Sequence, residues 1–474
     1  MIRFGTDGWR AIISDEFTFA NVRKAAKAIA IYIHSRKLNN KPLIIGYDAR
    51  FLADKFAEAV ASVMENAGID CFLCERDTPT PIVAWEVKDR GGCGAVMLTA
   101  SHNPPQYCGI KFIPDYAGPA NAEITREIEK NLLADFVIES RKKGKVERFD
   151  PRERYFRYIE RFFDLDAIKN AKLKVVVDPM YGSGRDFLGR ILQRFGVQVE
   201  EIHGYRDVLF GGHNPEPEEE TLKELKAKVL ETKADLGLAL DGDADRFGIF
   251  DELGNFYTAN QSIAMAFEYL VTDKGYTGSV ARSIATTHMI DAIAKQHNIK
   301  VNETPVGFKH IAEVMMKEDV IIGGEESGGL TIKGHIPEKD GLLANLLMVE
   351  MVAKRKKPLS KIWLDLKNKI GAFEGRRAKI DLSEEKKASV LEGLKKDPPK
   401  EVGGIKVAEV KTLDGVKVIL EDGSWFLIRP SGTEPLLRLY SESKDNNTLD
   451  KIEQFCYNLT GGPDASVGIP QNIR

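Results

Sequence analysis

Cys93-Gly94-Ala95-Val96-Met97-Leu98 runs directly into Thr99-Ala100-Ser101-His102-Asn103-Pro104-Pro105. The first six residues form an apolar run of the length of a buried strand. Asn103-Pro104-Pro105 stops that strand and prevents an immediate helix, because proline lacks an N–H and fixes its own φ. Ser101 is thereby delivered on a sharply turned loop at a strand end, where α/β domains collect ligands and catalytic groups. On these residues alone the stretch also reads as an Asn-Pro turn with a capping serine.

Working outward, strands and helices alternate. Upstream, the Gly-punctuated loop Phe4-Gly5-Thr6-Asp7-Gly8-Trp9-Arg10 precedes a helix with Val22, Ala26, Ile29 and Ile33 on one face. A strand then ends in Asp48-Ala49-Arg50, and a helix runs from about Lys55 to Ala67. The Cys71 strand, the Thr78-Pro79-Thr80-Pro81 turn and another helix follow. Arg141-Lys142-Lys143-Gly144-Lys145 reads as a solvated boundary. Beyond it the alternation resumes twice, through Leu173–Val177 and Ala234–Leu240, then through Ser279–Ala281 and Val320–Gly324. Such alternation predicts sheets covered by helices. The remainder changes character: Asp397-Pro398-Pro399 marks a loop, Leu413-Asp414-Gly415 signals a hairpin, and strands are expected at Trp425–Ile428 and Leu437–Tyr440. The expected fold is α/β, with three similar mixed α/β domains and a smaller α+β C-terminal domain. The boundaries are placed at 1–148, 149–256, 257–370 and 371–474, with a loose tail from Gly461.

The chain has 474 residues, 43% hydrophobic and 29% charged, enough for several ordinary cores. A net charge of −3, from 68 basic and 71 acidic residues, gives no field that would attract nucleic acid or an anionic membrane. No apolar run reaches the roughly 18 residues of a membrane span. The first residues lack a signal-peptide layout, so a cytoplasmic location is expected. The chain is expected to act as a monomer or homodimer. Cys71 and Cys74 form a C-x-x-C, but on a strand their thiols point to opposite faces, and no second pair lies at zinc spacing. They read as core residues.

Asp241-Gly242-Asp243-Ala244-Asp245-Arg246 follows a buried strand. Three carboxylates at alternate positions can converge on one hard cation if the backbone turns, and such oxygen ligands suit Mg2+. An EF-hand is the rival, with Glu252 in its twelfth position, but Arg246 occupies the sixth, where that loop needs glycine. Gly324-Glu325-Glu326-Ser327-Gly328-Gly329 offers a carboxylate and a hydroxyl for vicinal sugar hydroxyls, or is a simple Gly-rich turn. Arg429-Pro430-Ser431-Gly432-Thr433-Glu434-Pro435 supplies a guanidinium fork and further donors for a phosphate. Thr304-Pro305-Val306-Gly307-Phe308-Lys309-His310 is another polar loop, and Lys111 lies close enough in sequence to fold back on Ser101.

Together these motifs resemble the α-D-phosphohexomutase family, in particular its phosphoglucomutase/phosphomannomutase members. The match spans Gly5–Arg10, Thr99–Pro104, Asp241–Arg246, Gly324–Gly328 and Arg429–Pro435, in family order. The resemblance implies four domains around a central cleft, the fourth small and mobile. It implies that Ser101 carries a phosphoryl group, and that Asp241, Asp243 and Asp245, with Ser101, hold Mg2+. Arg10, Lys111 and Arg246 would surround the transferring group, with Lys111 as general acid/base and His102 orienting the Ser101 loop. Glu325, Ser327 and Lys309 would bind the sugar phosphate, and Arg429, Ser431, Gly432 and Thr433 the non-reacting phosphate. The implied activity interconverts hexose 1- and 6-phosphates of glucose or mannose, with a hexose 1,6-bisphosphate as intermediate and activator. Phosphoglucosamine mutase is the alternative, and a non-catalytic sugar-phosphate binding protein a remote one. Three positions depart from many relatives: Cys108 replaces Asn, Gly329 replaces His, and Glu326 stands where phosphoglucosamine mutases usually carry Gln. Glu326 points towards glucose or mannose phosphates, and Phe308-Lys309 resembles the glucose-phosphate branch without deciding the preference at C2.

Overall fold

The computed structural model describes residues 2–5, 8–134, 138, 140–430 and 436–460. Its first sheet contains β1 (Trp9–Ile12), β2 (Leu43–Tyr47), β3 (Cys71–Cys74), β4 (Gly94–Leu98), β5 (Tyr107–Pro114) and β6 (Val146–Phe149), in the order β1-β5-β4-β2-β3-β6. The second contains β7 (Lys174–Asp178), β8 (Gln198–Glu201), β9 (Leu236–Leu240), β10 (Phe247–Asp251) and β11 (Phe256–Tyr257), in the order β11-β10-β9-β7-β8. The third contains β12 (Ser279–Ser283), β13 (Val301–Thr304), β14 (Val320–Glu325) and β15 (Gly329–Ile332), in the order β13-β12-β14-β15.

One plan underlies all three sheets. Three strands run parallel, β3-β2-β4, β8-β7-β9 and β13-β12-β14. The last strand of each trio then turns back into an antiparallel partner, β5, β10 or β15. The turns of these hairpins contain Ser101, the Asp241–Arg246 loop and the Glu326–Gly328 loop. Helices cover the parallel strands on both faces, so β2, β4 and β9 are buried along their whole length and read as continuous apolar runs. The EF-hand reading is excluded by this context, since strands flank the aspartates.

The fourth sheet is antiparallel throughout. It contains β16 (Glu374–Asp381), β17 (Glu401–Val402), β18 (Ile405–Lys411), β19 (Val416–Leu420), β20 (Trp425–Pro430) and β21 (Leu436–Ser443), in the order β16-β21-β20-β19-β18-β17. The Leu413-Asp414-Gly415 turn joins β18 to β19, as its composition predicts. The expected tail from Gly461 lies outside the described residues.

Edge strands were poorly legible in the sequence: the expected loop Phe4–Arg10 ends inside β1, which begins at Trp9, and β6 and β16 also went unseen. Residues 141–145 are mostly exposed, but they lead at once into β6, which pairs with β3. Only Phe149 of β6 is buried, so the strand lacks an apolar run. β16 alternates half-buried with exposed charged residues, a pattern typical of a guarded edge. Cys71 and Cys74 are buried thiols, since both faces of β3 are covered, and burial pushes Cys74 up to about 12. Among the described residues no helix is long and apolar enough to cross a membrane.

The fourth domain docks on the third through a small mixed cluster. Ile284 and Ala285 of the third domain pack against Trp425, Leu427 and Tyr440. Lys417, fully buried, donates to the Ile284 carbonyl at 2.7 Å and lies 3.7 Å from the Trp425 ring centroid. Burial, reinforced by Arg282, pulls Lys417 down to about 7. Glu442 accepts from both the Trp425 indole and the His288 amide, at 2.9 and 2.8 Å. Trp425→Ala is expected to cost about 3–5 kcal/mol of stability in denaturant titration. Faster hydrogen exchange in β19 and β20 should accompany it.

Candidate active site

Ser101 is only 1% exposed, and its backbone lies in the left-handed region at φ 51°. That conformation costs a non-glycine residue about 1–3 kcal/mol and persists only where the surroundings over-determine it. Its hydroxyl donates to Asp241 Oδ2 at 3.0 Å and lies 3.4 Å from His102 Nδ1. Burial, followed by the charges of Arg246 and Arg10, holds the His102 imidazole far below its ordinary pKa, so the ring is neutral. His102 is thus a neutral neighbour of the hydroxyl. The Ser101 loop and the metal-type loop approach so closely that a side chain at Gly242 would sit 2.8 Å from the Ser101 carbonyl oxygen.

Asp241, Asp243 and Asp245 are fully buried and present carboxylate oxygens within 4.8 Å of one another. Repulsion at such spacing is on the order of 3–4 kcal/mol per pair at an effective dielectric of about 20. Burial, then the charges of Asp243 and Asp245, push Asp241 well above the usual carboxylate range. At Asp243 the effect of burial is outweighed by Lys111, the Thr80 hydroxyl and Lys339, which hold it below that range. Lys111 Nζ lies 3.2 Å from Asp243 Oδ2 and 3.4 Å from Asp245 Oδ2. Lys339 Nζ lies 3.1 Å from Asp245 Oδ2, and Thr80 donates to Asp243 Oδ2 at 2.6 Å. Asp243 Oδ1 and Asp245 Oδ1 remain buried without a hydrogen-bond partner. Two orphaned anionic oxygens beside Asp241 and a hydroxyl form an all-oxygen donor set that fits Mg2+.

Other expected residues border this cluster. Arg10 donates to Asn103 Oδ1 at 2.6 Å, which places it on the Ser101 loop. Arg246 pairs with Glu216 at 2.8 Å, while its Nε is buried without a partner. Ser327 donates to Glu325 Oε1 at 2.7 Å, and both Lys339 and Arg246 act electrostatically on the Glu325 carboxyl. Burial is nevertheless the largest influence and raises Glu325. Glu326 turns away from this pair, accepting from Ser283 at 2.7 Å, so its carboxylate is anchored in the third domain's own strand ends.

The phosphate-clamp residues stand apart. Arg429 is held by Asp414, with Nε and Nη2 each 3.1 Å from Oδ2, and the same oxygen accepts from the Val306 amide at 3.0 Å. Ser431, Gly432 and Thr433 lie outside the described residues. Lys309 is half-buried in the first turn of the helix Phe308–Lys317, on the segment that follows Val306. Among the described residues, neither Arg429 nor Lys309 makes a hydrogen bond or ion pair with the Ser101–aspartate cluster.

Comparison with known proteins decides the family. Profiles described as phosphoglucomutase/phosphomannomutase alpha/beta/alpha domains I, II and III match residues 1–136, 153–254 and 258–369, and the C-terminal domain profile matches residues 378–459. The chain belongs to the phosphoglucomutase/phosphomannomutase family. It is 32% identical to a phosphoglucomutase/phosphomannomutase of Thermococcus kodakarensis, over 93% of this chain and 94% of that one. It is 31% identical to a phosphoglucosamine/phosphogalactosamine mutase of Sulfurisphaera tokodaii, over 95% and 97%. Among solved structures it resembles a protein of Thermus thermophilus assigned as a phosphomannomutase, at 33% identity and a TM-score of 0.85, covering 97% of this chain and 99% of that one.

Within this phosphohexomutase frame, Thr80 and Lys339 were not legible as site residues. Thr80 lies in a Thr-Pro repeat that reads as a turn, and Lys339 sits in an ordinary Glu-Lys-Asp-Gly run. Only the close packing of three domains brings them to the aspartates. Asp241→Asn should relieve repulsion, so its metal-free form is expected to melt at or above the wild-type temperature. Mg2+ at a hundredfold excess over Kd should stabilise the wild type by about 2.7 kcal/mol and this variant hardly at all. Thermal melts with EDTA and with Mg2+ check both outcomes.

Proposed function

We propose that the chain interconverts hexose 1-phosphates and hexose 6-phosphates by phosphoryl exchange at Ser101. The observation that carries this reading is the Ser101 hydroxyl 3.0 Å from Asp241 Oδ2, beside the two orphaned oxygens of Asp243 and Asp245. Asp241, Asp243 and Asp245 would hold Mg2+, with Ser101 completing the site. When bound, that ion supplies positive charge against the oxygens of a phosphoryl group, which phosphoryl transfer needs above all.

The chain's own residues account for the remaining steps. Phosphoserine at Ser101 gives its phosphoryl group to a free hydroxyl of a hexose monophosphate. The bond from phosphorus to Ser101 Oγ breaks as the bond to the sugar oxygen forms. Lys111 relays the proton: its ammonium gives one proton to Ser101 Oγ as that oxygen leaves phosphorus and takes the sugar hydroxyl's proton in its place. The resulting bisphosphate turns end for end and returns its other phosphoryl group to Ser101. Arg10 and Arg246 neutralise the moving group, and Glu325 with Ser327 grips the sugar hydroxyls in either orientation. Arg429, with Ser431, Gly432 and Thr433, and Lys309 hold the non-reacting phosphate. Burial of Ser101 excludes the water that would otherwise take the phosphoryl group.

Glucose and mannose phosphates are one substrate reading and glucosamine phosphate the other. Relatives named for each are about equally similar to this chain, at 32% and 31% identity. The Glu326 argument for glucose or mannose loses weight, since that carboxylate bonds to Ser283. Reaction in the cytoplasm without a nucleic-acid or membrane partner, and activation by a hexose 1,6-bisphosphate, belong to the same proposal.

The test is a panel of glucose, mannose and glucosamine 1-phosphates, each with Mg2+ and the matching 1,6-bisphosphate. Turnover of at least one is expected, with loss on EDTA treatment and recovery on adding Mg2+. Ser101→Ala should lose at least about a thousandfold in kcat. A folded wild type that turns over none of the three, and gains no phosphoryl group in intact-mass analysis, would leave a sugar-phosphate binding protein.

A further inference from the structure

The loop that presents Ser101 is held by a residue that touches neither the aspartates nor the hydroxyl. Arg50 follows β2, and its side chain is completely buried. Its Nη2 donates to the carbonyls of Ser101 and Asn103 at 2.7 and 2.6 Å. Its Nη1 donates to the carbonyls of Pro104 and Tyr107 at 2.8 and 2.9 Å. Its Nε donates to Asp48 Oδ2 at 3.1 Å. A guanidinium has five N–H donors in a rigid planar fork, so every donor is spent, four of them on one loop.

Asp48 completes the device. Its Oδ2 also accepts from the Thr99 hydroxyl at 2.6 Å, and the Thr99 oxygen in turn accepts from the Ser101 amide at 2.8 Å. The Asp48–Arg50 pair therefore fixes the peptide unit before Ser101 through Thr99 and the unit after it directly. Those two peptide units define the φ and ψ of Ser101, and they hold it in the left-handed conformation that aims its hydroxyl at Asp241. The second domain covers the pair from outside. Arg206 donates to the carbonyls of Ala49 and Arg50 at 3.1 and 3.0 Å, and the Phe210 ring lies 5.1 Å from the Arg50 guanidinium carbon.

We propose that Arg50, tied to Asp48, is a positioning residue for phosphoryl transfer at Ser101. It sets where the hydroxyl stands against the aspartate loop of the neighbouring domain and binds no part of the substrate itself. The proposal rests on the functional reading given above. Lysine cannot replace this residue, because a single ammonium with three donors cannot span four carbonyls and a carboxylate. A nucleophile displaced by about 1 Å can lose on the order of a hundredfold in rate while substrate binding is retained.

Arg50→Lys and Thr99→Val, which removes the hydroxyl that links the Ser101 amide to Asp48, test the proposal in the full-length chain. The readouts are steady-state kcat and KM, and the single-turnover rate of Ser101 phosphorylation by glucose, mannose and glucosamine 1,6-bisphosphates. Each rate is normalised to the fraction of chains that accept a phosphoryl group at the end point by intact mass. Arg50→Lys is expected to lower the normalised rate and kcat about a hundredfold, with KM within about threefold of wild type. Thr99→Val should lower both about tenfold, and it carries the test alone if Arg50→Lys fails to fold. A purely structural role would reduce the phosphorylatable fraction and the melting temperature but leave the normalised rate unchanged, and that result overturns the proposal. A wild type that accepts no phosphoryl group and turns over no hexose phosphate overturns the functional reading, and this inference with it.

Discussion

Three carboxylates gathered around one point without solvent impose the constraint on which the arrangement depends. Asp241, Asp243 and Asp245 come from a single turn, and that turn cannot balance its own charge. Compensation arrives from the first domain as Thr80 and Lys111 and from the third as Lys339. Charge balance and domain arrangement are therefore one problem. A shift that carried Lys339 a few ångströms from Asp245 would take away one of the two ammonium groups beside that buried carboxylate, and the loss opposes the movement.

The repeated hairpin explains how separate domains meet this constraint. In each α/β domain the last strand of a parallel trio turns back, and the turn carries the polar residues. The sheets differ in strand number and in sequence, but the position of the turn in each is the same. The residues of the candidate site thus sit on three short turns of unrelated composition on a shared framework. The fourth domain follows another rule. Its antiparallel sheet meets the third domain through Trp425 and the buried Lys417, and Asp414 ties Arg429 to the Val306 amide across the same boundary.

The sequence disclosed most clearly what depends on local pattern. Apolar runs such as Gly94–Leu98 and Leu236–Leu240 marked interior strands, and the prolines after Ser101 marked the turn. The alternating aspartates were conspicuous because so many close carboxylates have little structural use. Edge strands escaped notice, since β6 and β16 keep charged side chains in water and lack an apolar signature. Residues whose partners are distant in the sequence escaped as well. Thr80, Asp48, Arg50 and Lys339 are ordinary polar residues in sequence, and their partners lie up to 163 positions away. The direction of the Glu326 side chain was equally hidden, because neighbouring residues at a strand end face opposite ways.

The outermost strand of the first sheet has a practical consequence for anyone handling the protein. β1 pairs with β5 over Trp9–Ile12, so the partner opposite Arg10 is Gly109, two residues from Lys111. Shortening the N-terminal segment through Trp9–Ile12 would turn the strand that bears Lys111 into a bare edge. A loss of activity after such trimming would then report a displaced lysine as well as the missing Arg10, although Lys111 lies about a hundred positions away in the chain.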